Sequence, residues 1–128
     1  MSEKAKKIFI VEDDSAIADI YKTIMEKAGF DAEIFGLGRE FLRGLKNAAE
    51  EGKNPAIVLL DLILPDMNGM EVLNKIKKDE ETKDIKVFIL TNQDESQIPK
   101  QDVKPDKFIV KANTTPTELV EIIKEELK

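Results

Sequence analysis

Three acidic side chains give the strongest chemical signal in the sequence. Glu12 and Asp13 directly follow the apolar run Ile8-Phe9-Ile10-Val11. Asp61 directly follows a second apolar run at 56–60. A buried carboxylate without a partner costs several kcal/mol or takes up a proton, so a cation is expected beside Asp61. The alternative is an aspartate that only caps the turn after a strand, because Asp is common in turns.

A hydroxyl and a lysine occupy equivalent places later in the chain. Thr91 follows the mostly apolar run at 85–90, and Lys111 follows the run at 107–110. Taken alone, Thr91 is most simply a turn residue and Lys111 a solvated surface lysine. The acids, the hydroxyl donor and the positive charge can take part in one reaction only if the fold brings them together.

Five short, mostly apolar segments are predicted to be strands, and stretches with helical spacing separate most of them. The predicted strands cover 8–11, 32–35, 56–61, 85–90 and 107–110. Alternating strands and helices favour a parallel sheet, because parallel neighbours need helical crossovers. The sequence therefore predicts a doubly wound α/β domain with helices on both faces of a five-stranded parallel sheet. The segment 94–107 is polar and contains Pro99 and Pro105, so any helix in it is expected to be short or irregular.

Length and composition limit what the chain can do. Its 128 residues fit a single domain, 1–128, with a core at about 7–127. The net charge of −6 disfavours direct binding to nucleic acid or to an anionic membrane. The absence of Cys and His excludes disulfides, thiol chemistry and imidazole metal ligands. Neither a signal peptide nor a membrane span is expected, which favours the cytoplasm.

The predicted fold places the polar strand ends together, because the carboxyl ends of parallel strands lie at one edge of the sheet. Glu12, Asp13 and Asp61 would repel one another there unless a cation lay among them. Mg²⁺ fits an all-oxygen site with room for water and phosphate, and Mn²⁺ can substitute. With Lys111 as a fixed charge and Thr91 as a hydroxyl donor, the set suits phosphoryl transfer to a carboxylate. Asp61 is the residue expected to become phosphorylated.

The ordered set of motifs resembles the receiver domains of two-component response regulators. The resemblance covers nearly the whole chain, from about Lys7 to Leu127, and it implies a single-domain, flavodoxin-like fold with strand order 2-1-3-4-5. Four segments carry it, in the family's order and near its spacing: Val11-Glu12-Asp13, Asp61-Leu62-Ile63-Leu64-Pro65-Asp66-Met67-Asn68-Gly69, Leu90-Thr91 and Phe108-Ile109-Val110-Lys111.

The resemblance also implies how the acidic residues act. Asp61 would accept a phosphoryl group from the phosphohistidine of a sensor histidine kinase or a histidine phosphotransfer protein. Asp13, Asp61 and the backbone carbonyl of Ile63 would bind Mg²⁺. Glu12 would reach the ion through water.

The remaining site residues would respond to the phosphoryl group. Lys111 would pair with it, and Thr91 would move toward it. Phe108 would occupy the position of the rotating aromatic that reports the change to an unidentified downstream protein. Phosphorylation adds about −1.5 to −2 charges and three acceptor oxygens, which is enough to bias a two-state loop.

The chain departs from the family pattern at three places. Ala112 follows Lys111 where the family usually has Pro, so the cis peptide bond typical of that position loses the residue that favours it. Asn92 follows Thr91 where a small residue is usual, which would narrow access to the phosphoryl site. The segment 94–107 lacks the common Gly-Ala-Asp run, so the output face is not expected to take the family's usual shape.

The sequence thus predicts a stand-alone phosphoacceptor switch or phosphorelay intermediate that catalyses its own phosphorylation and dephosphorylation. One alternative is a receiver-fold interaction module that works without phosphorylation, suggested by Asn92, Ala112 and the unusual segment 94–107. Another is an aspartate-nucleophile phosphohydrolase. Such enzymes generally carry a second acid two residues after the nucleophile, where this chain has Ile63.

Overall fold

The computed structural model describes residues 5–98 and 103–128. Their strands form one five-stranded parallel sheet. The strands are β1 (Lys7–Val11), β2 (Asp31–Phe35), β3 (Ile57–Leu60), β4 (Lys86–Thr91) and β5 (Lys107–Val110). Their order across the sheet is β2-β1-β3-β4-β5, and every neighbouring pair is parallel. The predicted doubly wound fold and its strand order are therefore confirmed.

Helices cover both faces of this sheet. The α-helices are α1 (Ser15–Lys27), α2 (Gly38–Glu50), α3 (Gly69–Lys78) and α4 (Pro116–Glu126). Two short 3-10 helices span Glu95–Gln97 and Lys111–Asn113. In the described part of the segment 94–107 the helix is indeed short, while residues 99–102 lie outside the described residues. No helix within 5–98 and 103–128 is long and apolar enough to cross a bilayer.

The central strand is apolar throughout because both of its faces are covered. All four residues of β3 are buried. On one face, Val58 shares a buried cluster with residues of α2 and α3. On the other face, Leu59 shares a second cluster with residues of α1 and α4. Asp61 directly follows this buried strand, and its side chain is itself buried.

A distant segment of the chain caps the start of α2. The N-cap residue of this helix, Leu37, makes no side-chain capping hydrogen bond. Instead the Asp66 carboxylate accepts the N–H groups of Gly38 at 2.8 Å and Arg39 at 3.0 Å. The hydrogen bonds from Arg39 and Gly38 lower the pKa of Asp66 below its ordinary value of 3.8. Because Asp66 belongs to the loop after Asp61, the same contact joins that loop to α2.

We expect Asp66→Asn to lower the free energy of unfolding at neutral pH, because an amide is a weaker acceptor than a carboxylate at a helix N-terminus. A carboxyl group whose pKa is lowered by folding contributes stability above its unfolded pKa. That contribution is lost as the pH falls through the folded pKa. The stability difference between wild type and variant should therefore be full at pH 7 and shrink below pH 3.8.

Urea unfolding at a series of pH values measures this difference. Asp84→Asn, at an exposed position, is the control for loss of one negative charge. A difference for Asp66→Asn that stays the same from neutral to acidic pH would contradict the role of Asp66 as a charged cap.

Candidate functional site

The polar residues that end the strands lie at one edge of the sheet. The parallel register pairs Val11 with Leu60, so the residues that follow them lie side by side. These residues are Glu12 and Asp61. The Asp61 N–H donates to the Val11 carbonyl at 3.1 Å, which extends the hydrogen-bond ladder past the end of β3. Lys111 directly follows β5 and reaches the same edge.

Glu12, Asp13 and Asp61 form an acidic cluster at this edge. One carboxylate oxygen from each residue lies within 4.8 Å of the other two. Glu12 and Asp61 are only 4% and 8% exposed, whereas Asp13 is an exposed residue. Carboxylate oxygens gathered in this way are the donors that a hard cation such as Mg²⁺ prefers. The acidic cluster is therefore closed by the protein on one side and open to solvent at Asp13.

Lys111 partly neutralises the two buried acids of the acidic cluster, Glu12 and Asp61. Its ammonium donates to Asp61 Oδ2 at 3.1 Å and forms an ion pair with Glu12 Oε1. Burial acts to lower the pKa of Lys111, but the hydrogen bond to Glu12 and the charge of Asp61 outweigh it. The net effect raises the pKa of Lys111 above its ordinary value of 10.5. The ammonium is therefore a fixed positive charge at neutral pH.

Glu12 is the most buried acid of the cluster. Its Oε2 accepts the Asp14 N–H at 3.1 Å, while its Oε1 faces Lys111. Burial nevertheless raises the pKa of Glu12 above 4.5, because the loss of hydration outweighs the hydrogen bonds from Lys111 and Asp14. One lysine thus compensates only in part for this burial, and a further positive charge would favour the ionised form of Glu12.

Thr91 ends β4 next to the strand that leads to Lys111. It is 1% exposed, and it pairs in the sheet with Val110, the residue before Lys111. Its hydroxyl oxygen accepts the Gln93 N–H at 3.5 Å, a long contact within the turn after β4. Thr91 therefore lies beside the site, and its donation to a phosphoryl group stays a prediction.

Phe108 lies on β5, outside the acidic cluster. Its partly buried ring packs against the core cluster on the α2 and α3 face. It also lines a groove of about 810 Å³ with Met70, Ile98 and Val103. The predicted switch role of Phe108 thus concerns this groove rather than contact with the acidic cluster, and it stays a prediction.

The loop after Asp61 turns back on itself and is closed at Gly69. The Gly69 N–H donates to the Leu62 carbonyl at 2.8 Å, and the Asn68 side chain caps α3 by accepting the Met70 N–H at 2.7 Å. A Cβ at Gly69 would lie 2.5 Å from the Asp61 carbonyl oxygen and 2.6 Å from Leu62 Cα. Only glycine allows this approach of backbone to backbone.

The backbone of Ile63 lies near the Asp61 carboxylate. Its N–H donates to Asp61 Oδ1 at 3.3 Å, while the residue itself is 61% exposed. Metal binding by its carbonyl oxygen stays a prediction.

Two of the residues that depart from the family pattern contact each other. The side-chain oxygen of Asn92 accepts the Ala112 N–H at 3.0 Å. The Lys111–Ala112 peptide bond is trans, so the cis bond typical of that position is not formed. The sequence prediction treated Asn92 and Ala112 separately and missed this contact. No local sequence signal pointed to it, because the N–H group of an exposed alanine can equally be hydrated.

Comparison with known proteins identifies the family. A family model described as the response regulator receiver domain matches residues 8–124, and the chain belongs to this family. The DNA-binding dual master transcriptional regulator RpaA of Synechocystis is 32% identical over 108 residues, which cover 82% of this chain and 42% of that protein.

Solved structures show the same relationship. A CheY-like response regulator receiver domain protein from Methanospirillum hungatei JF-1 has a TM-score of 0.80 at 32% identity, with coverage of 96% of this chain and 94% of that chain. The phosphorylated cyanobacterial phytochrome response regulator RcpA has a TM-score of 0.75 at 27% identity, with coverage of 94% and 90%. The predicted family is therefore confirmed.

Family membership has consequences for the acidic cluster. Receiver domains of response regulators receive phosphate from histidine kinases and bind a divalent metal in an acidic pocket. In this chain, Glu12, Asp13 and Asp61 form an acidic cluster that could hold a metal ion. The chain spans less than half the length of the curated relative described above, 42% of RpaA.

We expect Gly69→Ala to destabilise the protein by about 1–3 kcal/mol, because the added methyl group must displace backbone rather than a flexible side chain. The displaced atoms belong to Asp61 and Leu62, so the affinity for Mg²⁺ should fall as well. Urea unfolding and calorimetric titration with Mg²⁺ measure the two effects. Gly36→Ala is the matched control, since nothing lies within 4 Å of its added Cβ. Equal stability and equal Mg²⁺ affinity in both variants would contradict this view of the loop.

Proposed function

We propose that the protein is a phosphoacceptor switch of a two-component system and that Asp61 takes the phosphoryl group. The observation that carries this proposal is the buried Asp61 carboxylate, which the Lys111 ammonium contacts at 3.1 Å within the acidic cluster. If Asp61 only capped a turn, it would need neither the ammonium of Lys111, which follows β5, nor the two neighbouring acids Glu12 and Asp13. The phosphorylated state of the related RcpA supports the same chemistry.

The site residues suit transfer of phosphorus from nitrogen to oxygen. An Asp61 carboxylate oxygen attacks the phosphorus of a phosphohistidine, an O–P bond forms, and the P–N bond breaks. The electron pair of the broken bond returns to the imidazole nitrogen, which takes a proton from solvent. Lys111 lies where it can pair with the phosphoryl oxygens, and Thr91 supplies a nearby hydroxyl donor. Later attack of water on phosphorus releases inorganic phosphate and restores the carboxylate.

The acidic cluster fits Mg²⁺ because its donors are all oxygen atoms. Asp13 and Asp61 would bind the ion together with the Ile63 carbonyl, and Glu12 would reach it through water. Mn²⁺ has similar ligand preferences and would substitute. When bound, the metal supplies positive charge that neutralises the phosphoryl oxygens.

Phosphorylation would change the charge at the ends of two neighbouring strands. Thr91 ends β4 and Lys111 follows β5, so the contacts of both residues with the new phosphoryl oxygens bias the turns after both strands. Phe108, on β5, carries this change to the groove that it shares with Met70 and Ile98. A downstream protein would read that face.

The phosphoryl donor in this proposal is a sensor histidine kinase or a histidine phosphotransfer protein, in the cytoplasm as expected from the sequence. The domain then acts as a switch or as an intermediate in a phosphorelay. Ile63, exposed and apolar, lies where a phosphohydrolase would carry its second acid, so that alternative is not favoured.

We expect the wild-type protein to gain the mass of one phosphoryl group when incubated with Mg²⁺ and acetyl phosphate. Asp61→Asn should gain none, because the amide cannot act as the nucleophile. Asp13→Ala should be labelled more slowly than wild type, and chelation of the metal should slow the wild type in the same way. Intact-mass spectrometry over time measures all four reactions.

Asp84→Asn is the control for this experiment, because Asp84 is an exposed aspartate outside the acidic cluster. It should be labelled at the wild-type rate. Failure of the wild type to gain a phosphoryl group would overturn the proposed function. Equal labelling of Asp61→Asn would move the acceptor to another residue.

A further inference from the structure

A side-chain hydrogen bond joins the two turns that carry Thr91 and Lys111. The Asn92 Oδ1 atom accepts the Ala112 N–H at 3.0 Å, across 20 residues of sequence. Asn92 directly follows Thr91, and Ala112 directly follows Lys111. The bond therefore connects the immediate neighbours of the two residues that are placed to contact a phosphoryl group.

We propose that Asn92 is a positioning residue that acts through Lys111. By accepting the Ala112 N–H, it fixes the turn after β5 relative to the end of β4 and so keeps the Lys111 ammonium over Asp61. This inference rests on the proposed function of Asp61 as the phosphoacceptor. Asn92 and Ala112, which form this contact, both depart from the family pattern.

The turn that carries Lys111 has few other anchors among the described residues. Lys111 is the first residue of the 3-10 helix Lys111–Asn113, which has no side-chain cap at its N-cap residue. Ala112 and Asn113 are both exposed, so side-chain packing contributes little to their placement. Within the turn, the Thr114 N–H donates to the Lys111 carbonyl at a long 3.3 Å. The sheet pairing of β5 with β4 ends at Val110 and Thr91, and beyond that pair the Asn92 side chain ties this helix to the end of β4.

The position of the Lys111 backbone matters because its side chain is long and flexible. An ammonium on a four-carbon stem holds one place only if its Cα and its charge partners are fixed. The partners here are Glu12 and Asp61, which directly follow β1 and β3. Releasing the turn would let the Lys111 ammonium leave Asp61 without unfolding the sheet.

Asn92 is not simply the local turn residue that an asparagine after a strand usually is. In a local Asx turn, its side chain would accept an N–H two residues further along its own turn. Here the Asp94 N–H instead donates to the Gln97 side chain at 3.1 Å, and the Asn92 oxygen accepts the Ala112 N–H from the turn after β5. Asn92 thus connects the turns after β4 and β5 rather than forming a local turn of its own.

We expect Asn92→Ala to be phosphorylated by acetyl phosphate roughly tenfold more slowly than wild type at saturating Mg²⁺, because a displaced catalytic group loses its alignment with the transferred phosphoryl group. Its urea unfolding midpoint should remain at the wild-type value. Its affinity for Mg²⁺ should not fall, because an ammonium that leaves Asp61 removes positive charge from the acidic cluster. Exchange of the Ala112 amide hydrogen, followed by NMR, should become faster. Asn113→Ala is the matched control, since it removes an exposed asparagine from the same 3-10 helix and should leave the rate unchanged.

A double-mutant cycle with Lys111→Ala separates positioning from a direct effect of Asn92. If Asn92 acts through Lys111, then Asn92→Ala/Lys111→Ala should react at the same rate as Lys111→Ala alone. A wild-type rate or a faster rate in Asn92→Ala would overturn the inference while the proposed function stands. If Asn92→Ala slows the reaction by the same factor in the wild-type and Lys111→Ala backgrounds, the inference is overturned while the proposed function stands. A wild type that gains no phosphoryl group would overturn both the inference and the proposed function.

Discussion

The contact of one lysine with two buried carboxylates is the interaction on which the rest of the site depends. Glu12 and Asp61 are almost inaccessible to solvent, and a buried carboxylate is stable in its charged form only with a partner. Lys111 supplies that partner for both. Because the three residues follow β1, β3 and β5, the parallel order of the strands is what brings their charges together.

Contacts between segments distant in sequence fix the backbone around this charge cluster. Asp66 caps α2 from the loop that follows Asp61, so movement of that loop is resisted by a helix on one face of the sheet. Gly69 allows the loop to close against Leu62. Asn92 joins the ends of β4 and β5 in the same way. The site is thus built from strand ends but is held in shape by hydrogen bonds that backbone N–H groups donate.

Most of the fold and the membership of the charge cluster could be predicted from the sequence, because each rests on a local pattern. Apolar runs located the strands to within about one residue, as for β4, which ends at Thr91 rather than one residue earlier. The hydrogen bond of Asn92 and the cap from Asp66 could not be predicted, because each joins an ordinary polar residue to a backbone N–H at a place set only by tertiary structure. The roles of Thr91 and Phe108 involve a change of state, and they stay predictions.

A crystal structure of the protein with Mg²⁺ and beryllium trifluoride, a stable mimic of a phosphoryl group, tests the central claim most directly. We expect beryllium to be bonded to a carboxylate oxygen of Asp61, with the fluorine atoms within hydrogen-bond reach of the Lys111 ammonium and the Thr91 hydroxyl. A mimic bonded to a different carboxylate, or a mimic on Asp61 that Lys111 does not contact, would contradict the assignment of the site.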